Sequence, residues 1–146
     1  MKVPHAFFHW TDALAADAHP DVGDEIAHAA SSACAAEGFA VSNIDLWRDV
    51  GWSFTARFNR QAFKFYYARH AEGVLLAVAP PVQGSIARLF GSKQTTSTHD
   101  LIRLCRIVHG VLERIPAVTD IRWMLGGPPE RVKQVASPDE LAIATA

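Results

Sequence analysis

The sequence predicts an α+β domain: an antiparallel meander of about four to five strands, flanked by a helix near residues 21–37 and a second near 98–115. Three observations carry this. Val22, Ile26, Ala29, Ala30 and Ala33 recur at helical spacing. Between residues 40 and 79 the apolar rhythm changes to two, the mark of a sheet with one buried face. From Leu101 to Ile115 the helical rhythm returns as an unbroken stripe.

Each element has its own local signals. Residues 1–19 form an N-terminal arm in which Phe7, Phe8, Trp10 and Leu14 are too apolar for a free tail; they suit either a short helix over about 11–18 or an ordered arm packed on the body. Pro20-Asp21 opens the first helix, with Asp21, Asp24 and Glu25 at the positive end of its dipole, and Gly38 reads as its left-handed stop. In the sheet, Ile44 and Leu46 make a first strand, and Asp49-Val50-Gly51 turns the chain into Trp52, Phe54, Ala56 and Phe58. Asn59-Arg60 leads to Phe63, Phe65 and Tyr67, and the continuous apolar run 74–79 fits a strand covered on both faces. Pro80-Pro81 ends the sheet and a long loop, 80–97, follows. Ser97 or Thr98 caps the second helix, whose stripe is Leu101, Leu104, Cys105, Val108, Val111, Leu112 and Ile115. A further strand over 121–125 closes on Gly126-Gly127-Pro128-Pro129, and Ser137-Pro138-Asp139-Glu140 is a capping box that starts a short C-terminal helix.

Composition narrows the function. A chain of 146 residues with 49% hydrophobic residues is the size of one domain, 1–146, with one core. Fourteen basic against fifteen acidic residues leave no overall field toward nucleic acid or an anionic membrane. The N-terminus does not read as a signal peptide, and no apolar run approaches the ~20 residues of a membrane span. Cys34 and Cys105 both fall in helices and read as buried free thiols of a cytoplasmic protein, with a single disulfide as the alternative.

No motif reaches a catalytic or metal signature, so neither a catalytic residue nor a cofactor is expected. His5 and His9 are four apart, but Ala-Phe-Phe lies between them and supplies no general base. His99-Asp100 has no nucleophile on a strained turn beside it, and Cys105 sits on the apolar stripe. The prolines of Gly126-Gly127-Pro128-Pro129 remove the donors a phosphate loop needs. Arg57, Lys64 and Tyr66 share the wet face of the sheet, near Trp47 and Arg48, as an ordinary solvated face does. The outstanding feature is surplus apolar surface: Phe7, Phe8, Trp10, Trp47, Tyr66, Leu89, Phe90 and Ile143 have no evident place in a core built from one sheet face and two helices, so either the N-terminal arm and long loop cover the second sheet face or a protein partner does.

The order helix, three or four strands, helix, strand, terminal helix over residues 20–146 resembles the fold of type III secretion chaperones and sensory-regulator-like domains. The resemblance lies in element order alone and transfers no functional residue. It implies a homodimer that holds an extended segment of a partner protein; an immunity-type accessory protein has a similar build. The chain departs from those chaperones in its near-neutral charge and in the 80–98 stretch. The expected function is therefore non-enzymatic protein binding by a homodimer, through Trp10, Trp47, Arg57, Tyr66, Leu89 and Phe90. The rival expectation is a small enzyme or ligand-binding domain with a pocket between the sheet and the 80–98 loop, lined by His70, His99, Arg57 and Tyr66.

Overall fold

A computed structural model describes residues 3–10, 24–47, 51–70, 73–79, 98–126 and 129–141. In chain order they form β1 (Pro4–Trp10), α1 (Asp24–Ala36), β2 (Ala40–Val41), β3 (Asp45–Trp47), β4 (Gly51–Phe58), β5 (Gln61–His70), β6 (Gly73–Ala79), α2 (Thr98–Glu113) and β7 (Val118–Leu125), then a 3-10 turn at Pro138–Glu140. The α+β class and the meander β4-β5-β6 are as the sequence predicts. The sheet is larger than expected. Its order is β2-β4-β5-β6-β1-β7, and β3 also pairs with β4, so seven short strands fill six positions. All pairings are antiparallel.

The main correction concerns the N-terminal arm. Residues 4–10 are not an arm packed on the body: β1 lies inside the sheet, between β6 and β7. The reason is an alternation partly hidden by Phe7. Pro4, Ala6, Phe8 and Trp10 turn inward and are buried, while His5 and Phe7 are half-buried and His9 is exposed on the other face. The helix suggested over 11–18 falls outside the described residues.

Both helices pack on one face of the sheet. Ile26, Ala30 and Cys34 of α1 and Leu101, Leu104, Cys105, Val108 and Leu112 of α2 join a single core with Ala6, Phe8 and Trp10, Phe54 and Ala56, Phe63 and Phe65, Val74, Leu76 and Val78, and Trp123. Phe54 and Phe65, paired across β4 and β5, stack with centroids 4.5 Å apart. The alanines of α1 let it approach the other layers closely. The helix stops where the sequence says it should. Gly38 has φ 95°, and the Phe39 N–H closes back on the Cys34 carbonyl at 3.0 Å, with Gly38 N–H on Ala35.

Two further expectations change. Strand β6 is covered fully on one face only: Val74, Leu76 and Val78 are buried, but Leu75, Ala77 and Ala79 are half-buried. The C-terminal helix shrinks, within the described residues, to one turn. Ser137 accepts from Asp139 N–H and Glu140 accepts from Ala136 N–H. Leu141 then turns to ψ 127°, outside the helical region, and packs against the core.

Both cysteines are buried, and burial pushes each thiol up to about 12. Neither is expected to react with Ellman's reagent at neutral pH in the native protein, and both are expected to react once guanidinium unfolds it. Rapid native labelling of Cys34 or Cys105 would contradict this packing.

Candidate functional site

Because β-strand side chains alternate, the strands that send Phe8, Phe65 and Val78 into the core send a second set outward. Register puts these in rows. Phe7 on β1 stands opposite Leu75 on β6, and His5 stands opposite Ala77, which in turn faces Tyr66 on β5. Lys64 and Thr55 continue the face across β5 and β4, and the Lys64 ammonium lies 5.4 Å from the Tyr66 ring centroid. The centre of this face is apolar and half-buried. Met124 and Ser53, toward its two sides, are buried.

The residues singled out in the sequence fall in different places. Arg57 is exposed and Tyr66 half-buried, both on this outer face, though four residues apart along the pairing, where Arg57 stands opposite Ala62 and Tyr66 opposite Ser53. Trp10 is on the opposite face and 1% exposed, so it belongs to the core and presents no surface. Phe8 goes with it at 0%, and these two account for part of the apolar surplus. Trp47 is the last residue of β3, where its backbone pairs with Gly51; Leu89 and Phe90 lie outside the described residues, as does the loop of the rival pocket. His99 is exposed at the start of α2, away from the Tyr66 row. Sequence reasoning flagged Phe7 as surplus apolar surface but missed its partner Leu75, and Ala77 opposite His5, on the outer face. The even-odd alternation in residues 4–10 was the available signal.

His5 lies on this face and is half-buried. Burial lowers its pKa from 6.5, and donation from Nδ1 to the Val3 carbonyl at 2.8 Å opposes that shift. The unfolded chain therefore binds the proton more readily than the folded one. His5 should leave stability intact above about pH 6.5 and reduce it as the pH falls below that value toward the folded pKa. Urea midpoints of His5→Gln should fall less on acidification from pH 7.5 to 5.5 than those of the native sequence; parallel losses would refute the assignment.

His5 and His9 sit on a strand and not on a helix, so they are about 13 Å apart along it and cannot share a metal ion. Among the described residues no group of three or more His, Cys, Asp or Glu could hold one. Nor, among them, is any helix long and apolar enough to cross a membrane.

The class this geometry defines is an open antiparallel sheet with two helices on one face and a half-apolar face on the other. The chain matches no family model, and neither a curated protein nor a solved structure is significantly similar to it.

Proposed function

We propose that the chain is a non-enzymatic protein-binding domain, of a chaperone-, adaptor- or immunity-like kind, that acts in the cytoplasm as a homodimer joined through the outer face of its sheet. The observation that carries this is the half-exposed row Phe7–Leu75 beside His5–Ala77–Tyr66. Contiguous apolar side chains with an aromatic and neighbouring cations are the composition of protein interfaces. Two buried free thiols fit a reducing compartment.

The test is solution mass by light scattering, on the native chain and on Leu75→Lys. The native chain should be twice the monomer mass. The lysine, placed in the middle of the row, should return it to monomer while circular dichroism stays unchanged. A monomeric native protein, or a dimer indifferent to Leu75→Lys, would overturn the reading.

A further inference from the structure

On their solvent side, α1 and α2 leave an open groove of about 470 Å³. Its floor is made of Ala33 and Ala36 from α1 and Ile107 and Gly110 from α2, small or apolar side chains that keep it wide. Its rim is cationic: Arg103, Arg106 and Arg114 against the single carboxylate of Glu37.

These arginines are not equivalent. Arg103 is already engaged. It donates to the Glu37 carbonyl at 2.6 Å, lies 3.4 Å from the Glu37 carboxylate, and stacks on Phe39 and Phe58. It closes the carbonyl end of α1, where an anion would otherwise be repelled. Arg106 pairs with Asp139, but both side chains are more than half exposed, and an exposed pair contributes little and exchanges readily. Arg114 meets no carboxylate among the described residues. Its Nε–H donates to the carbonyl of Gly110 at 3.0 Å, which lays the guanidinium along the groove.

Arg106 and Arg114 are eight residues apart, about 12 Å of helix. With the Arg106 guanidinium turned to Asp139 and that of Arg114 to the Gly110 carbonyl, the two heads are directed to different partners, which suits two carboxylates on one elongated segment. A floor of methyl groups suits peptide side chains better than a phosphodiester backbone. A chain of net charge −1 offers nucleic acid no general attraction either. Guanidinium groups, with their planar forks, suit carboxylates and phosphates alike, so it is the apolar floor that favours a peptide.

We infer that the α1–α2 groove binds an acidic, amphipathic segment of a partner protein, with carboxylates on Arg106 and Arg114 and apolar side chains on Ala33 and Ile107. This rests on the reading of the chain as a protein-binding domain, but not on the sheet face or on dimerisation.

The probe is a dye-labelled synthetic amphipathic peptide with glutamates two helical turns apart and leucines between them, followed by fluorescence anisotropy on the full chain. Binding should saturate, and a scrambled peptide of the same composition should bind at least about tenfold more weakly. Arg106→Glu and Arg114→Glu should each weaken binding about tenfold, with unchanged circular dichroism. Raising salt from about 0.05 to 0.5 M should weaken it as well. Arg57→Glu, on the outer sheet face, should leave it unaltered. The inference is overturned by three results: no saturable binding, equal binding by the groove variants, or displacement of the peptide by a short oligothymidylate or inorganic phosphate at similar concentration. Leu75→Lys separates the two proposals. If it abolishes the dimer and keeps peptide binding, both stand. A native monomer that binds the peptide through Arg114 removes the dimer alone, and a native dimer that ignores the peptide removes the groove alone.

Discussion

Trp123→Ala is expected to cost about 3–5 kcal/mol of folding stability. Of the ~5–15 kcal/mol that holds a domain of this size together, that is a large share. Trp123 is 0% exposed and reaches from β7 to α2. Its backbone is held on both sides, by Ala6 of β1 and by paired hydrogen bonds with Val135 at 2.7 and 2.8 Å. Its indole N–H donates to His109 Nδ1 at 3.0 Å. An indole can only donate, so Nδ1 carries no proton and the imidazole hydrogen sits on Nε2, facing the Glu113 carboxylate at 2.9 Å. One buried side chain thus ties sheet to helix and sets a histidine tautomer. Trp123→Phe should keep most of the packing and lose the hydrogen bond, at about 1–3 kcal/mol. In a double-mutant cycle with His109→Ala, urea midpoints should show the two losses to be non-additive. A Trp123→Ala protein within about 1 kcal/mol of the native chain would show that this tie is not part of the core.

Gly51→Ala is expected to be the most disruptive small substitution in the sheet. A Cβ at Gly51 would overlap the Tyr67 carbonyl oxygen and lie 2.6 Å from its carbon, both backbone atoms of the neighbouring strand. Backbone cannot rotate away; relief requires β4 and β5 to separate at the end where β4 also receives β3. Gly73→Ala is the internal comparison. Its Cβ would strike the tip of the Phe7 ring, with Cε2 at 2.6 Å, but a half-buried ring can swing outward. Overpacking of this kind costs about 1–3 kcal/mol and sometimes more. We expect Gly51→Ala to reach or exceed the upper end and Gly73→Ala to stay near the lower, measured by chemical denaturation. Equal losses would mean that the close approach of Gly51 to β5 is relieved elsewhere.

Both predictions depend on partners distant in sequence, and this marks the limit of what the residues show alone. The stripe from Leu101 to Leu112 is buried as its spacing requires, and Gly38 stops α1 in the left-handed conformation that glycine tolerates. The alternation of Phe54 with Thr55 and of Phe65 with Tyr66 assigns the two faces of β4 and β5 correctly. These are local matters, decided by residues within a turn or a hairpin of one another.

The candidate surfaces were less legible. Arg57 and Tyr66 could be placed on one face from their parity, but their neighbours could not be named, because Phe7 and Leu75 meet only through a pairing of strands about seventy residues apart. Trp10 looked like surplus surface for the same reason: a period of two states that a strand has two faces, not which strands flank it or which face the helices cover. The groove arginines are spaced along α2 and just past its end, but their common rim depends on how closely Ala33 and Ala36 let α1 approach Ile107 and Gly110. By itself, then, the sequence determined α1, α2, the meander β4-β5-β6 and the two faces of β4 and β5, since these follow from short-range sterics and periodicity. The tertiary structure alone decided that β1 enters the sheet between β6 and β7, and that one half-buried apolar face and one cationic groove lie at the surface. Those outcomes come from long-range pairing and packing, whose free energy no local stretch of chain contains.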